Sequence, residues 1–180
     1  MAKEFFAPVL VTAVPVQGGI ELRAVNDGPA AVQLTVTASA ARMDGSTRPL
    51  GRFGLTLGTD AAAPVTTLPD AVLAADEVLA FAWEASDGSR AGDVFAPRPW
   101  KTYVLLPSGL THRMSERDGV HEITLSVTAL APFVAIESDV PGRFSANAFT
   151  LFPGHPATVT FTPRDPGQPT TFTYRDLQSA

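Results

Sequence analysis

Residues Phe133 to Phe161 read Phe-Val-Ala-Ile-Glu-Ser-Asp-Val-Pro-Gly-Arg-Phe-Ser-Ala-Asn-Ala-Phe-Thr-Leu-Phe-Pro-Gly-His-Pro-Ala-Thr-Val-Thr-Phe. The stretch parses as a strand, a Pro-Gly turn, a Phe-Ser-x-Asn-x-Phe segment, a second Pro-Gly turn and another strand. Proline fixes a turn corner and glycine supplies the backbone freedom the corner needs, so both Pro-Gly pairs mark reversals between short extended runs. Such a pattern belongs to an antiparallel all-β fold.

The same grammar extends through the chain. Ile20, Leu22 and Ala24 alternate with Glu21 and Arg23, and Val32, Leu34, Val36 and Ala38 alternate with polar partners. Leu79, Phe81 and Trp83 share one face, as do Ile123, Leu125 and Val127, and then Val159 and Phe161. Successive side chains on a strand point to opposite faces, so each run predicts a strand with one buried and one wet face. Gly18-Gly19, Asn26-Asp27-Gly28-Pro29, Asp44-Gly45, Asp87-Gly88 and Asp118-Gly119 fall between runs and read as turns. No long amphipathic helix is present, and Pro69 to Val78 is the best candidate for a single helical turn. Two prolines in Phe95-Ala96-Pro97-Arg98-Pro99-Trp100 favour an extended linker. The reading is therefore two tandem antiparallel β-sandwiches, residues 1–96 and residues 97–180.

Composition narrows the function classes. Apolar residues make up 45% and charged residues 17% of 180, enough to bury a core and too apolar for a disordered chain. The 13 basic residues form no run against 18 acidic ones, which argues against nucleic acid and anionic membranes as partners. With no cysteine there is neither a disulfide framework nor thiolate chemistry. The start, Met1 to Pro8, has no signal-peptide pattern, and no apolar run approaches the ~20 residues of a membrane span. The expectation is a soluble chain with no export signal of its own, a cytoplasmic location being favoured.

Candidate chemistry is sparse. His112, His121 and His155 are too scattered for a spaced ligand motif and read as surface or strand-edge residues. No Gly-x-Ser-x-Gly elbow or phosphate-binding glycine loop occurs. Glu137 and Asp139 sit two apart on one face of an expected strand, and glycosidases need paired carboxylates, but acidic residues beside a turn are commonly just solvated. Glu137, Asp139 and Asn147 also offer the oxygen ligands a structural calcium would take, without a recognised loop spacing. Trp83 is expected in the core. Trp100, after the proline linker, either packs between the domains or lies exposed, and packing is favoured. The expectation is no catalytic, cofactor-binding or metal residue in this chain.

Three segments carry a family resemblance. Phe5-Phe6-Ala7-Pro8-Val9-Leu10-Val11, the junction Phe95-Ala96-Pro97-Arg98-Pro99 with Lys101 and Leu106-Pro107, and Gly142-Arg143-Phe144-Ser145-Ala146-Asn147-Ala148-Phe149-Thr150-Leu151-Phe152-Pro153-Gly154 resemble, in order, the C-terminal sandwich region of glycoside hydrolase family two β-mannosidases. Ala146 departs from the aspartate usual there, which weakens a metal site further. The resemblance implies immunoglobulin-like sandwiches that follow a catalytic barrel. The parent would hydrolyse terminal β-D-mannosyl bonds with retention, using glutamates of that barrel, and none of these can be carried over. It implies as partners the barrel and N-terminal domains of the parent, with weak contact to β-mannoside saccharides as a further expectation. Phe144, Phe149, Leu151 and Phe152 would fill the terminal sandwich, and Phe5 and Phe6 would be covered by the parent. Alternatives are an exo-β-glucosaminidase parent, or a free-standing tandem sandwich binding carbohydrate or protein.

Overall fold

The computed structural model describes residues 8–180; the Phe5-Phe6 expectation falls outside them. All of its long elements are strands, and only two single 3₁₀ turns interrupt them, Asp70–Val72 and Trp100–Thr102. The first of these lies within the segment read as one helical turn. Among the described residues the fold is all-β, with two tandem antiparallel sandwiches and no (βα)8 barrel. Two compact units emerge, one built on residues 8–42 and Ser46–Val104, the other on Leu105–Ala180.

In the first unit, β1 (Val9–Val16), β2 (Gly19–Asn26) and β5 (Ala61–Pro69) form one sheet in the order β1-β2-β5. The strands β3 (Val32–Arg42), β4 (Thr47–Leu57), β6 (Glu77–Ala85) and β7 (Arg90–Phe95) form the other, in the order β4-β3-β6-β7. The alternating residues supply the core: Leu22, Ala24, Val36, Ala38 and Leu79 are fully or almost fully buried, and Trp83 is only 4% exposed, with its ring stacked on Phe81. Burying each large apolar side chain contributes about 1.5–3 kcal/mol. The edge strands β4 and β5 carry Pro49 and Pro64 beside register shifts, where Ala38/Ser39 and Leu22/Arg23 step past an extra residue. Proline has no ladder donor and is tolerated at such bulges on edge strands.

The second unit pairs β8 (Thr111–Arg117), β9 (Val120–Ser126), β11 (Gly142–Phe144) and β13 (Ala157–Pro163) in the order β11-β13-β9-β8. Facing them is a sheet of β12 (Phe149–Leu151), β10 (Ala131–Ser138) and β14 (Phe172–Arg175), in the order β12-β10-β14. Ile123, Leu125, Val134, Ile136 and Val159 fill the space between, with Phe144, Phe149, Phe172 and Tyr174 packed around them. Leu151 is buried as expected, while Phe152 is half-buried and lies outside that cluster, because it starts the Pro153-Gly154 turn rather than continuing β12. Asp118-Gly119 joins β8 to β9 with both residues at positive φ, 52° and 74°, the geometry a two-residue hairpin demands. Phe133, read as an ordinary strand residue, has φ 54° at a register shift of β10, a conformation costing a non-glycine residue about 1–2 kcal/mol.

Candidate functional site

The family-like segment from Gly142 to Asn147 runs along the edge strand β11 and the loop after it, and its distinctive residues have packing duties. Gly142 sits where a Cβ would overlap the Phe161 ring and the Thr162 carbonyl, so only glycine fits. Phe144 lies against Phe161 with ring centroids 4.6 Å apart. Ser145 bonds Thr160 twice: its N–H donates to the Thr160 carbonyl at 2.8 Å, and its hydroxyl accepts the Thr160 N–H at 2.9 Å. Asn147 does the same to Ile136 on β10 through its side-chain amide alone. The signature is a set of fasteners between strands.

The carboxylates expected nearby are separately engaged. Glu137 forms an ion pair with Arg175 on the neighbouring strand β14. Asp139 lies beyond the end of β10 rather than on its face, and accepts the Thr171 N–H at 2.8 Å. Asn147 is turned to Ile136, and Ala148 N–H also donates to its Oδ1 at 2.9 Å. Among the described residues, no three His, Cys, Asp or Glu side chains are grouped to hold a metal ion.

A hollow of about 370 Å³ lies in the second unit between the start of β8 and the end of β14. His112 on β8 stacks on Tyr174 of β14, centroids 4.4 Å apart. Burial pushes the Tyr174 hydroxyl up from its ordinary pKa. Asp176, only 3% exposed, lies at its floor. Its carboxylate accepts the Ser108 hydroxyl, the Ser179 N–H at 2.9 Å, the Gln178 N–H at 3.0 Å and the Ser179 hydroxyl at 3.0 Å. Burial alone would raise the Asp176 pKa, but these donors, Ser108 first, hold it below the usual aspartate value. Asp176 is the one carboxylate of the hollow's lining and is consumed by its donors, and Ser108 has spent its proton on it. Glycoside hydrolysis requires two carboxyl groups flanking a bond, and this hollow does not hold them.

A smaller hollow, about 190 Å³, lies in the first unit beside Arg42, Arg48 and Glu77. The Glu77 side chain is 5% exposed and accepts the Ala74 N–H at 2.9 Å and Arg48 Nη2 at 2.8 Å. The Ala74 N–H, opposed by burial and aided by Arg48 and Arg42, holds the Glu77 carboxyl below its usual range. This buried carboxylate was not foreseen. Glu77 stands at the head of a strand directly after Asp76, where nothing local distinguishes it from a solvated residue.

Trp83 is core, as expected, and Trp100 is half-buried with its ring centroid 5.6 Å from that of Tyr103. Of the histidines, His155 is exposed and His112 lines the larger hollow. His121 is a correction to the surface reading. It sits on the interior strand β9, 6% exposed, 6.1 Å from the Phe161 ring and 5.4 Å from that of Phe172. Its Nδ1 is buried without a hydrogen-bond partner, the nearest carboxylate oxygen being on Glu116 at 3.8 Å. The sequence did carry the signal, since His121 stands two before Ile123 on the same face.

Residues 105–180 match the family Ig_mannosidase, an Ig-fold domain. No curated protein matches the chain. Among solved structures, the exo-chitosanase CsxA of Amycolatopsis orientalis is similar over 94% of this chain and 25% of its own, at 19% identity and a TM-score of 0.71. The β-D-mannosidase of Dictyoglomus thermophilum is similar over 96% of this chain and 22% of its own, at 12% identity and a TM-score of 0.78. This chain thus spans about a quarter of the length of the structures it matches. No helix among the described residues is long and apolar enough to cross a membrane. The likeness is one of fold: an all-β, Ig-like chain matching a small portion of mannosidase-like and chitosanase-like glycosidases.

Proposed function

We propose that this chain serves as a non-catalytic accessory region of a larger, multidomain glycosidase that removes terminal β-linked sugars. One observation carries the reading. Nearly the whole chain, both sandwiches in order, superposes on a quarter of a glycosidase chain in two different enzymes. The signature residues Gly142, Phe144, Ser145 and Asn147 serve packing, and the larger hollow has a single, capped carboxylate, which fits a supporting role. We assign residues 1–96 and 97–180 to its two modules, the linker up to Val104 clustering with the first compact unit, with the barrel and N-terminal domains of the parent as their partners. For the parent, the likeness to CsxA, at 19% identity against 12% for the D. thermophilum enzyme, supports an exo-β-glucosaminidase or exo-chitosanase over a β-mannosidase.

The test compares the isolated chain with a longer product that includes any in-frame upstream sequence, on aryl β-D-glucosaminide and aryl β-D-mannoside. Activity only in the longer product supports the reading, and the preferred glycoside names the parent. Turnover by the isolated chain, or an inactive longer product lacking a barrel, overturns it.

A further inference from the structure

The edge strand β8 is exposed at all seven of its residues, Thr111 to Arg117, and no strand lies on its outer side among the described residues. Its cross-strand partners fix the direction of its side chains. His112 opposes Leu125, Met114 opposes Ile123 and Glu116 opposes His121, and all three partners are buried. Directly opposed residues share a face, so His112, Met114 and Glu116 point to the inward side of the sandwich. Met114 is nevertheless 52% exposed. An unpaired edge with an apolar residue at its centre is a template for another strand.

We propose that β8 pairs antiparallel with β8 of a second copy of this chain, about a two-fold axis that passes through Met114. A two-fold that brings two identical edges together antiparallel stands normal to the sheet, so inward residues face inward residues. Three such registers are centred within the middle of the strand. Centred on Arg113, the pairing sets that arginine against itself. Centred on Ser115, it sets Arg113 against Arg117. Centred on Met114, it sets His112 against Glu116, Arg113 against Ser115, Thr111 against Arg117, and Met114 against Met114. Like charges directly opposed destabilise a strand pair and opposite charges support it. The Met114 register alone of the three avoids opposed arginines, places Glu116 against a histidine and covers the exposed methionine. The interface is small, so the association is weak and reversible.

The natural chain has no cysteine, which makes the register directly readable. Arg113→Cys, Met114→Cys and Ser115→Cys are oxidised mildly, with Gln168→Cys on an exposed loop as the measure of random collision. Opposed Cβ atoms in a strand pair lie about 4.5–5.5 Å apart and diagonal ones about 7–8 Å, while a disulfide holds them near 4 Å. Met114→Cys is expected to form covalent dimer at least tenfold faster than the other three. Sedimentation of the unmodified chain up to about millimolar concentration, the range of weak small interfaces, is expected to show monomer and dimer. Met114→Lys, which sets two ammonium groups together, is expected to shift it to monomer while its circular dichroism stays unchanged. A chain that stays monomeric throughout, or faster cross-linking through residue 113 or 115, overturns the proposal.

Discussion

The Asn147 side chain takes both backbone groups of Ile136: its Oδ1 accepts the Ile136 N–H at 2.8 Å, and its Nδ2 donates to the Ile136 carbonyl at 2.8 Å. An amide side chain thus stands in for a strand residue beside β10, where Ile136 is 1% exposed. Replacing it leaves a donor and an acceptor unmet at a buried position. Asn147→Ala is expected to destabilise the second unit by about 2–4 kcal/mol, since each unmet buried group costs about 1–3 kcal/mol. Asn147→Asp, which keeps the acceptor and loses the donor, is expected to fall between. Urea unfolding of both variants checks the order.

Asp176 makes the second unit acid-sensitive. Its folded pKa is depressed, so its stabilisation is complete above the ordinary aspartate value and is lost as pH falls through the depressed folded value. Asp176→Asn removes the titrating group, and its stability is expected to vary less with pH over that acid range than that of the parent chain. Thermal melts from neutral to strongly acid pH test this. Parallel curves for the two proteins contradict it.

Glu77 predicts a similar acid limb in the first unit. Its carboxyl is also depressed, so the contribution is full above the ordinary glutamate range and disappears below the folded value. Arg42 and Arg48 are half-exposed, with side chains 54% and 53% accessible, so solvent screens their share. The Ala74 N–H is the partner that suffers most. Glu77→Ala is expected to cost about 1–3 kcal/mol at neutral pH, with the difference from the parent narrowing on acidification.

His121 predicts a gain. Its Nδ1 is buried without a hydrogen bond among Phe161 and Phe172, and an apolar replacement removes that penalty. His121→Phe is expected to be neutral or stabilising by about 1 kcal/mol, because exchanging an unmet polar group for an apolar one of similar shape recovers its desolvation cost. A melting temperature several degrees lower would show that the imidazole has a role its surroundings do not reveal.

What could be read from the sequence divides along the sheets. The five alternating runs are β2, β3, β6, β9 and β13, and every one is an interior strand. Interior strands bury one face completely, so polar and apolar residues must alternate. Among the edges, β5, β7 and β8 show no sustained alternation, and in β4 and β14 it is short, Phe53-Leu55-Leu57 and Phe172-Tyr174. β8 is wet on both faces, β4 contains Gly51 and Gly54, and β4 and β5 hold prolines that argue against a strand wherever position in the sheet is unknown. The signature around Asn147 was legible as a family mark, but its work was not, because its partners Ile136 and Thr160 lie 11 and 15 residues from Asn147 and Ser145. Asp176 had no local signal either. Ser108, its donor, precedes it by 68 residues.

That long-range bond ties the first loop of the second unit to its last turn, with Ser179 and Gln178 completing the cap. Tags appended after Ala180 leave this closure intact. Trimming even two residues from that end removes Ser179, and cutting back to Arg175 strips Ser108 of its acceptor. Shortened versions designed by strand boundaries alone would therefore unlatch the sandwich at its opening loop, far along the chain from the cut.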